Sequence, residues 1–314
     1  MSNNAERDTP RVVWVISDNK PGHVNQSLGL AEALARITPT QIHLYPALPA
    51  WRAGLSWVLK HRLDKTRPNP DLILGAGHAT HLTLLAARRA HGGRAVVLMK
   101  PSLPCSWFDL CLIPQHDGVA ASVRTRVTEG ALNRIRPATA RDAHRGLLLI
   151  GGTSAHFDWD SDAVQVQIKS ILARTPDTHW TLTTSRRTPA EFLASLPPHP
   201  NLAIVPHTLT SPDWLPEQLN RSGTVWVSPD SVSMVFEALT AGAEVGVFDL
   251  PVNPTSRVGR AIAQLADAGR VTRFGRWCAH EKLHPNLHPE GHKHPLAEAD
   301  RCAQWILEWL KTKN

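Results

Sequence analysis

The chain has 314 residues, an apolar fraction of 42% and a formal net charge of +7. That length favours two domains of ordinary size, and the apolar content is enough for real cores. No apolar run approaches the ~18 residues of a membrane-spanning helix, and the first ten residues hold no signal-peptide core. The expectation is a cytoplasmic protein whose dispersed cysteines, Cys105, Cys111, Cys278 and Cys302, are reduced structural thiols. The positive charge suits phosphates or an anionic membrane surface. There is no RNA-module signature and no dense Lys/Arg run, so nucleic acid is not an expected partner.

Residues 12–16 form a short apolar run of the buried-strand kind. A polar loop follows and opens into a helix with Leu30, Leu34 and Ile37 at i, i+4, i+7. The loop carries Asp18, Lys20, His23 and Asn25 within eight residues, more chemistry than a connector requires. Further strands are expected at 41–45, 71–74, 95–99 and 109–113, with helices at 51–63 and 78–90. Strands separated by helices imply parallel pairing through crossovers. Ligands gather at the C-terminal ends of such strands.

Residues 115–145 break the rhythm and are rich in arginine. They read as the inter-domain passage and part of a cleft wall. The pattern then restarts. Strands are expected at 146–150, 179–183, 201–205, 224–227 and 244–248. Helices are expected at 161–173, 189–196, 213–220, 257–268 and 300–311, the last with Trp305 and Trp309 at i, i+4. Asp230 or Ser231 is expected to cap another helix that ends at Gly242. Two similar α/β halves, 1–140 and 141–314, predict a two-lobed molecule with parallel sheets facing a central cleft. Residues 281–295 hold four histidines among prolines and read as a solvated loop, because their spacing fits no metal-ligand frame.

Several loops could carry chemistry. Gly75-Ala-Gly-His-Ala-Thr80 has two of the three glycines of a dinucleotide fingerprint. Met99 and Lys100 stand where a ribose-binding carboxylate should follow, so NAD is not expected. The motif reads as a tight turn or as a small-residue wall with His78 beside it. Gly151-Gly-Thr-Ser154 lies between a strand and a helix, where glycines let a backbone approach a pyrophosphate. A plain turn is the alternative. Arg186 or Arg187 could fork onto a phosphate, or be surface arginines.

In the helix after Ser231, Val232, Val235, Phe236 and Leu239 share one face. Glu237 lies roughly 150° from it, at about 100° per residue. It is either a solvated glutamate or a carboxylate that accepts two ribose hydroxyls. His116 and Asp117 follow a strand end and form a local pair or a turn. No P-loop, H-E-x-x-H zinc site or G-x-S-x-G elbow is present.

Together these pieces resemble glycosyltransferases with two Rossmann-like lobes, the GT-B fold. Gly22-His-Val24 with Leu28–Leu34, Gly151-Gly-Thr153 and Ser231…Glu237…Gly242 are similar to segments of the peptidoglycan N-acetylglucosamine transferase. More closely, the chain resembles the mitochondrial-fission ELM / GtrOC-type family of glycosyltransferases. The similar segments are 17–27, Pro114…His116-Asp117, 128–133, 184–189 and 230–234.

The resemblance implies a transferase that needs no metal and no bound cofactor. It implies a nucleoside-diphosphate sugar on the C-terminal lobe, held by Gly151, Gly152, Thr153, Ser154, Arg186, Ser231 and Glu237. A sugar or lipid-linked acceptor would lie on the N-terminal lobe near Lys20, Asn25, His78, His116 and Asp117, with Asp18 or His23 as general base. The asparagine- and lysine-containing first loop departs from the glycine-rich loop of the peptidoglycan enzyme, so the acceptor is expected to differ. A nucleotide-sugar epimerase or a non-catalytic scaffold of the same fold are the alternatives.

Overall fold

The structure is a computed structural model, and it describes residues 9–138, 140–280 and 296–312. It divides into two compact units, Met1–Arg134 with Ala297–Asn314, and Ile135–Leu296.

The first unit runs β1 (Arg11–Ser17), α1 (Pro21–Ile37), β2 (Thr40–Pro46), α2 (Ala50–Leu59), β3 (Leu72–Ala76), α3 (His81–His91), β4 (Arg94–Leu98), β5 (Leu110–Pro114) and β6 (Thr125–Thr128). All strands pair in parallel, in the order β2-β1-β3-β4-β5-β6. Residues on alternate positions of these strands feed opposite faces. Val13, Val15, Leu72, Leu74, Val96 and Leu98 pack with Leu30 and Leu34 of α1. Val12, Trp14, Ile16, Ile73, Val97 and Ile113 pack on the other face with Leu84 and Leu85 of α3. Helices cover both faces, which is why these strands read as continuous apolar runs.

The second unit runs β7 (Asp142–Leu149), α4 (Ser161–Arg174), β8 (His179–Thr183), α5 (Ala190–Ala194), β9 (Leu202–Ile204), α6 (Trp214–Arg221), β10 (Ser222–Val227), α7 (Val232–Ala241), β11 (Glu244–Val247), α8 (Arg257–Asp267), β12 (Thr272–Arg273) and α9 (Phe274–His280). Its parallel sheet has the order β12-β11-β10-β7-β8-β9. Leu148, Ile150, Trp180, Leu182, Trp226 and Phe248 pack with Val164, Ile168 and Ile171 of α4. Gly146 and Gly246 make room for two of these indoles: a Cβ would lie 2.3 Å from the Trp180 ring or 2.5 Å from the Trp226 ring.

The boundary at 140 needs one correction. The terminal helix α10 (Glu298–Lys311) joins the first unit, not the second. Its buried stripe of Ala299, Cys302, Ala303 and Ile306 belongs to the core that contains Leu30 and Leu34. Burying Ile306 fully contributes about 1.5–3 kcal/mol. Arg36 pairs with Asp300, and Glu298 accepts the Glu129 N–H at 2.8 Å. All four cysteines are unbridged. No described helix is long and apolar enough to cross a membrane. The histidine-rich segment 281–295 lies outside the described residues.

Candidate functional site

Each sheet has one point where the chain reverses its direction of travel across the sheet. In the first unit β1 is followed outward by β2, and β3 then returns to the other side of β1. Ligands of open α/β sheets bind at such a switch point, beyond the strand C-termini. The loops there are 18–20, after β1, and 77–80, after β3.

Asp18 and His23 meet in this place. Asp18 Oδ2 is 2.8 Å from His23 Nδ1, with the Asp18 side chain 4% exposed and that of His23 20% exposed. The turn that sets this distance is local. The Asn19 N–H donates to Ser17 Oγ, and Asn19 adopts φ 60, a left-handed value that asparagine tolerates. The Lys20 N–H donates to Asp18 Oδ1 at 3.1 Å. Pro21 then starts α1 with its fixed φ at a position whose N–H has no helical partner. The N–H groups of His23 and Val24 both return to the Lys20 carbonyl. Burial alone raises the Asp18 carboxyl. The His23 hydrogen bond, the Lys20 N–H and the charges of His23 and Lys20 outweigh it and hold the carboxyl below its ordinary range.

Gly77 completes the arrangement. It has φ +86, and a Cβ there would lie 2.3 Å from His23 Nδ1 and 3.2 Å from Asp18 Oδ2. The loop after β3 therefore rests directly on the Asp18–His23 pair. The sequence signal was the Gly75-Ala-Gly77 motif, whose second glycine touches a histidine rather than a pyrophosphate. His78 follows it, exposed, at the start of a single 3₁₀ turn. Asn25 lies half-buried on α1. His116 and Asp117 sit in a 3₁₀ turn after β5, two strands from β3, where Asp117 accepts the Lys100 N–H at 3.4 Å.

The second unit reverses at β7, between β8 and β10. Its loops form a closed lattice there. The Gly151 N–H donates to Ser228 Oγ at 2.6 Å and the Gly152 N–H to Asp230 Oδ2 at 3.0 Å. The Thr153 N–H reaches the Arg187 carbonyl at 3.3 Å, and Ser185 Oγ donates to the Gly151 carbonyl at 2.7 Å. This corrects the expected backbone cradle, because the N–H groups of residues 151–153 are occupied within the protein. The glycines serve close packing instead. A Cβ on Gly151 would lie 2.2 Å from Asp230 Oδ2, and one on Gly152 would lie 2.0 Å from the Arg187 carbonyl oxygen.

Arg187 and Asp230 hold this lattice. Arg187 Nη2 is 2.8 Å from Asp230 Oδ2, and the Asp230 side chain is fully buried. Burial pushes the Asp230 carboxyl above its ordinary range, opposed by Ser228, Arg187 and the Gly152 N–H. Arg186, its neighbour, is exposed and free of described partners. Ser154 is half-buried, and its Oγ accepts the N–H groups of His156 and Phe157.

Of the two residues expected at the cap, Asp230 is engaged by the Gly152 N–H and Arg187 instead. Ser231 stands at the N-cap, its side chain makes no capping hydrogen bond, and no described side chain caps the α7 amides. An uncapped helix N-terminus favours an anion. Gly242 closes α7 with φ 83, in agreement with the expectation for that position. Glu237 is buried on α7, which removes the solvated alternative.

Comparisons with known proteins agree with this architecture. An uncharacterised protein of Rickettsia prowazekii is 28% identical over 115 residues, a match spanning 33% of this chain and 32% of that protein. Among solved structures, a protein assigned as UDP-N-acetylglucosamine 2-epimerase from Listeria monocytogenes superposes with a TM-score of 0.64 at 14% identity, covering 97% of each chain. The calicheamicin glycosyltransferase CalG4 gives 0.57 at 14% identity, covering 97% of this chain and 99% of that one. MurG of Acinetobacter baumannii gives 0.53 at 13% identity, covering 96% and 100%. The fold is that of GT-B glycosyltransferases and related epimerases. The family described as mitochondrial fission ELM1 matches residues 21–310. The chain belongs to the mitochondrial fission ELM1 family.

Proposed function

We propose that this protein is a glycosyltransferase that moves a sugar from a nucleoside diphosphate onto a hydroxyl acceptor. The observation that carries the reading is the Asp18–His23 hydrogen bond at a sheet switch point. An ionised Asp18 accepts a proton on His23 Nδ1. That leaves the Nε2 lone pair as the base, by the logic of carboxylate–histidine pairs. His23 is thus the general base, and Asp18 its orienting partner. The acceptor hydroxyl gives its proton to Nε2 as its oxygen attacks the anomeric carbon. The bond to the nucleoside diphosphate breaks, and the diphosphate leaves with the electron pair. A positioned base is worth about 10²–10⁴-fold.

The donor belongs on the second unit. Glu237 holds the ribose. The uncapped α7 amides beside Ser231 and the Arg186 guanidinium face the diphosphate, with Thr153 and Ser154 contributing hydroxyls. Charge developing on the leaving group is then met by preorganised dipoles. Gly151 and Gly152 shape this wall rather than bind. Lys20, Asn25, His78, His116 and Asp117 belong to the acceptor side. The net charge of +7 favours an anionic acceptor, a cell-envelope glycolipid or lipopolysaccharide, met at the cytoplasmic face of a membrane.

The test is thermal stabilisation by a panel of nucleoside diphosphates and nucleotide sugars. At a hundredfold excess over Kd, binding stabilises by about 2.7 kcal/mol. The expected result is a shift with one nucleotide family that Glu237→Ala abolishes and His23→Ala preserves. No shift with any nucleotide overturns the reading. A nucleotide sugar returned as its epimer, with no diphosphate released, reassigns the chain to the epimerases.

A further inference from the structure

Helix α2 is built inside out. Its two buried side chains are small, Ala53 and Ser56. The large apolar side chains face outward: Trp51 is 69% exposed, Leu55 53%, Val58 62% and Leu59 66%. Trp51, Leu55 and Val58 recur at i, i+4, i+7, so they form one stripe along the helix, opposite the buried pair. α2 packs along α3, and Leu82 of α3 is also exposed. A soluble helix normally turns such a stripe inward, and contiguous exposed apolar surface marks an interaction site.

The charge around the stripe is predominantly positive. Residues 47–70 contain Arg52, Lys60, Arg62, Lys65 and Arg67 against a single carboxylate, Asp64. Asp64 is already engaged, accepting from Thr66 Oγ1 at 2.6 Å and lying 3.5 Å from Arg67 Nε. Arg52 lies over the Trp51 ring at 5.4 Å, and Arg89 of α3 lies over Trp57 at 4.5 Å. Each of these pairs is an apolar plate with a cation over its face. Exposed tryptophan and leucine beside Arg52, with Lys60 and Arg62 just past the helix end, make the composition of an interfacial helix.

We propose that α2 docks this protein onto a bilayer containing anionic phospholipid. Trp51, Leu55 and Val58 enter the acyl boundary, while Arg52, Lys60 and Arg62 meet the headgroup phosphates. The charge complementarity selects lipid over a second copy of the chain, which would set the same basic rims against each other. The proposal deepens the membrane contact of the reading above. Vesicle binding is read without any sugar substrate, so it stands or falls separately from sugar transfer.

The experiment is vesicle flotation of the full chain, with phosphatidylcholine vesicles made with and without phosphatidylglycerol. The wild type is expected to float with anionic vesicles and to release at high salt. Leu55→Asp with Val58→Asp is expected to weaken binding at least about tenfold, with the unfolding midpoint unchanged. Arg52→Glu with Lys60→Glu leaves the apolar stripe intact. It is expected to cost about fivefold or more per reversed charge on anionic vesicles. Val166→Asp, at an exposed apolar position on α4, is expected to change nothing. Failure of the wild type to float overturns the proposal, as does equal flotation of the wild type and both double variants. So does a wild-type dimer in solution that Leu55→Asp dissociates, which would assign the stripe to a second copy.

Discussion

Removing the Arg187 side chain tests how the second unit holds its loops. Arg187→Ala takes away the cation that, among the described residues, pairs with Asp230, whose carboxylate is fully buried. Stranding one partner of a buried pair costs about 3–5 kcal/mol. Arg187 itself is 39% exposed, so water replaces part of the lost interaction and brings the cost below that range, to about 2–3 kcal/mol. For a unit of this size each kcal/mol moves the midpoint by about 2–4 °C, so the fall should be about 4–12 °C. The loss should also depend on pH. Burial already raises the folded-state carboxyl of Asp230, so the folded protein keeps that proton longer than the unfolded chain. Stability from this group falls as pH climbs above the ordinary carboxylate range, and Arg187→Ala steepens the fall. Asp230→Asn removes the charge while keeping an acceptor for the Gly152 N–H. The double variant Arg187→Ala, Asp230→Asn should therefore recover most of the loss, giving a coupling of about 1–3 kcal/mol. Calorimetry and urea unfolding at two pH values read these quantities. A loss under about 0.5 kcal/mol, or strict additivity in the double variant, would show that the Arg187–Asp230 pair does not hold these loops.

Gly77→Ala places a methyl 2.3 Å from His23 Nδ1 at φ +86. It should cost about 1–3 kcal/mol in backbone strain and displace the imidazole, seen as changed His23 ring chemical shifts by NMR. Asp18→Asn should lower transfer by about 10²–10⁴ while nucleotide-induced stabilisation stays intact. The lowered Asp18 carboxyl contributes stability that is present above the ordinary aspartate range and lost as pH falls through its folded value. Acid unfolding of Asp18→Asn should accordingly lack that part of the slope, checked by urea midpoints below about pH 4. Gly152→Ala should destabilise the second unit, because its Cβ meets backbone at 2.0 Å rather than a movable side-chain end. A midpoint within error of wild type would contradict the close packing.

The alternation of strands and helices is legible because these strands are buried on both faces and read as unbroken apolar runs. The elements that escape are those without that pattern. β6, Thr125-Arg-Val-Thr128, is polar and lies within an arginine-rich passage; β12 is two residues long, and α9 has seven. The docking of α10 on α1 is invisible in chain order, since an amphipathic stripe does not say which core it covers. The Asp18–His23 pair is nearly local, five residues apart, and its turn is written in Asn19, Lys20 and Pro21. The lattice around Gly151 is not local. It depends on Ser228 and Asp230, 77 and 78 residues from the glycines whose N–H groups they accept. Glycines at a strand end look the same in sequence whether their amides face a ligand or a buried carboxylate.

In the proposed reaction His23, oriented by Asp18, deprotonates an acceptor attacking a nucleotide sugar. Its most direct measurement is release of nucleoside diphosphate from a nucleotide-sugar panel in the presence of membrane lipid extract, for wild type and His23→Ala side by side. Release by the wild type with one donor is expected, and a fall of about 10²–10⁴-fold in His23→Ala with donor binding retained. Equal release by both proteins, or none by the wild type with any donor, would contradict it.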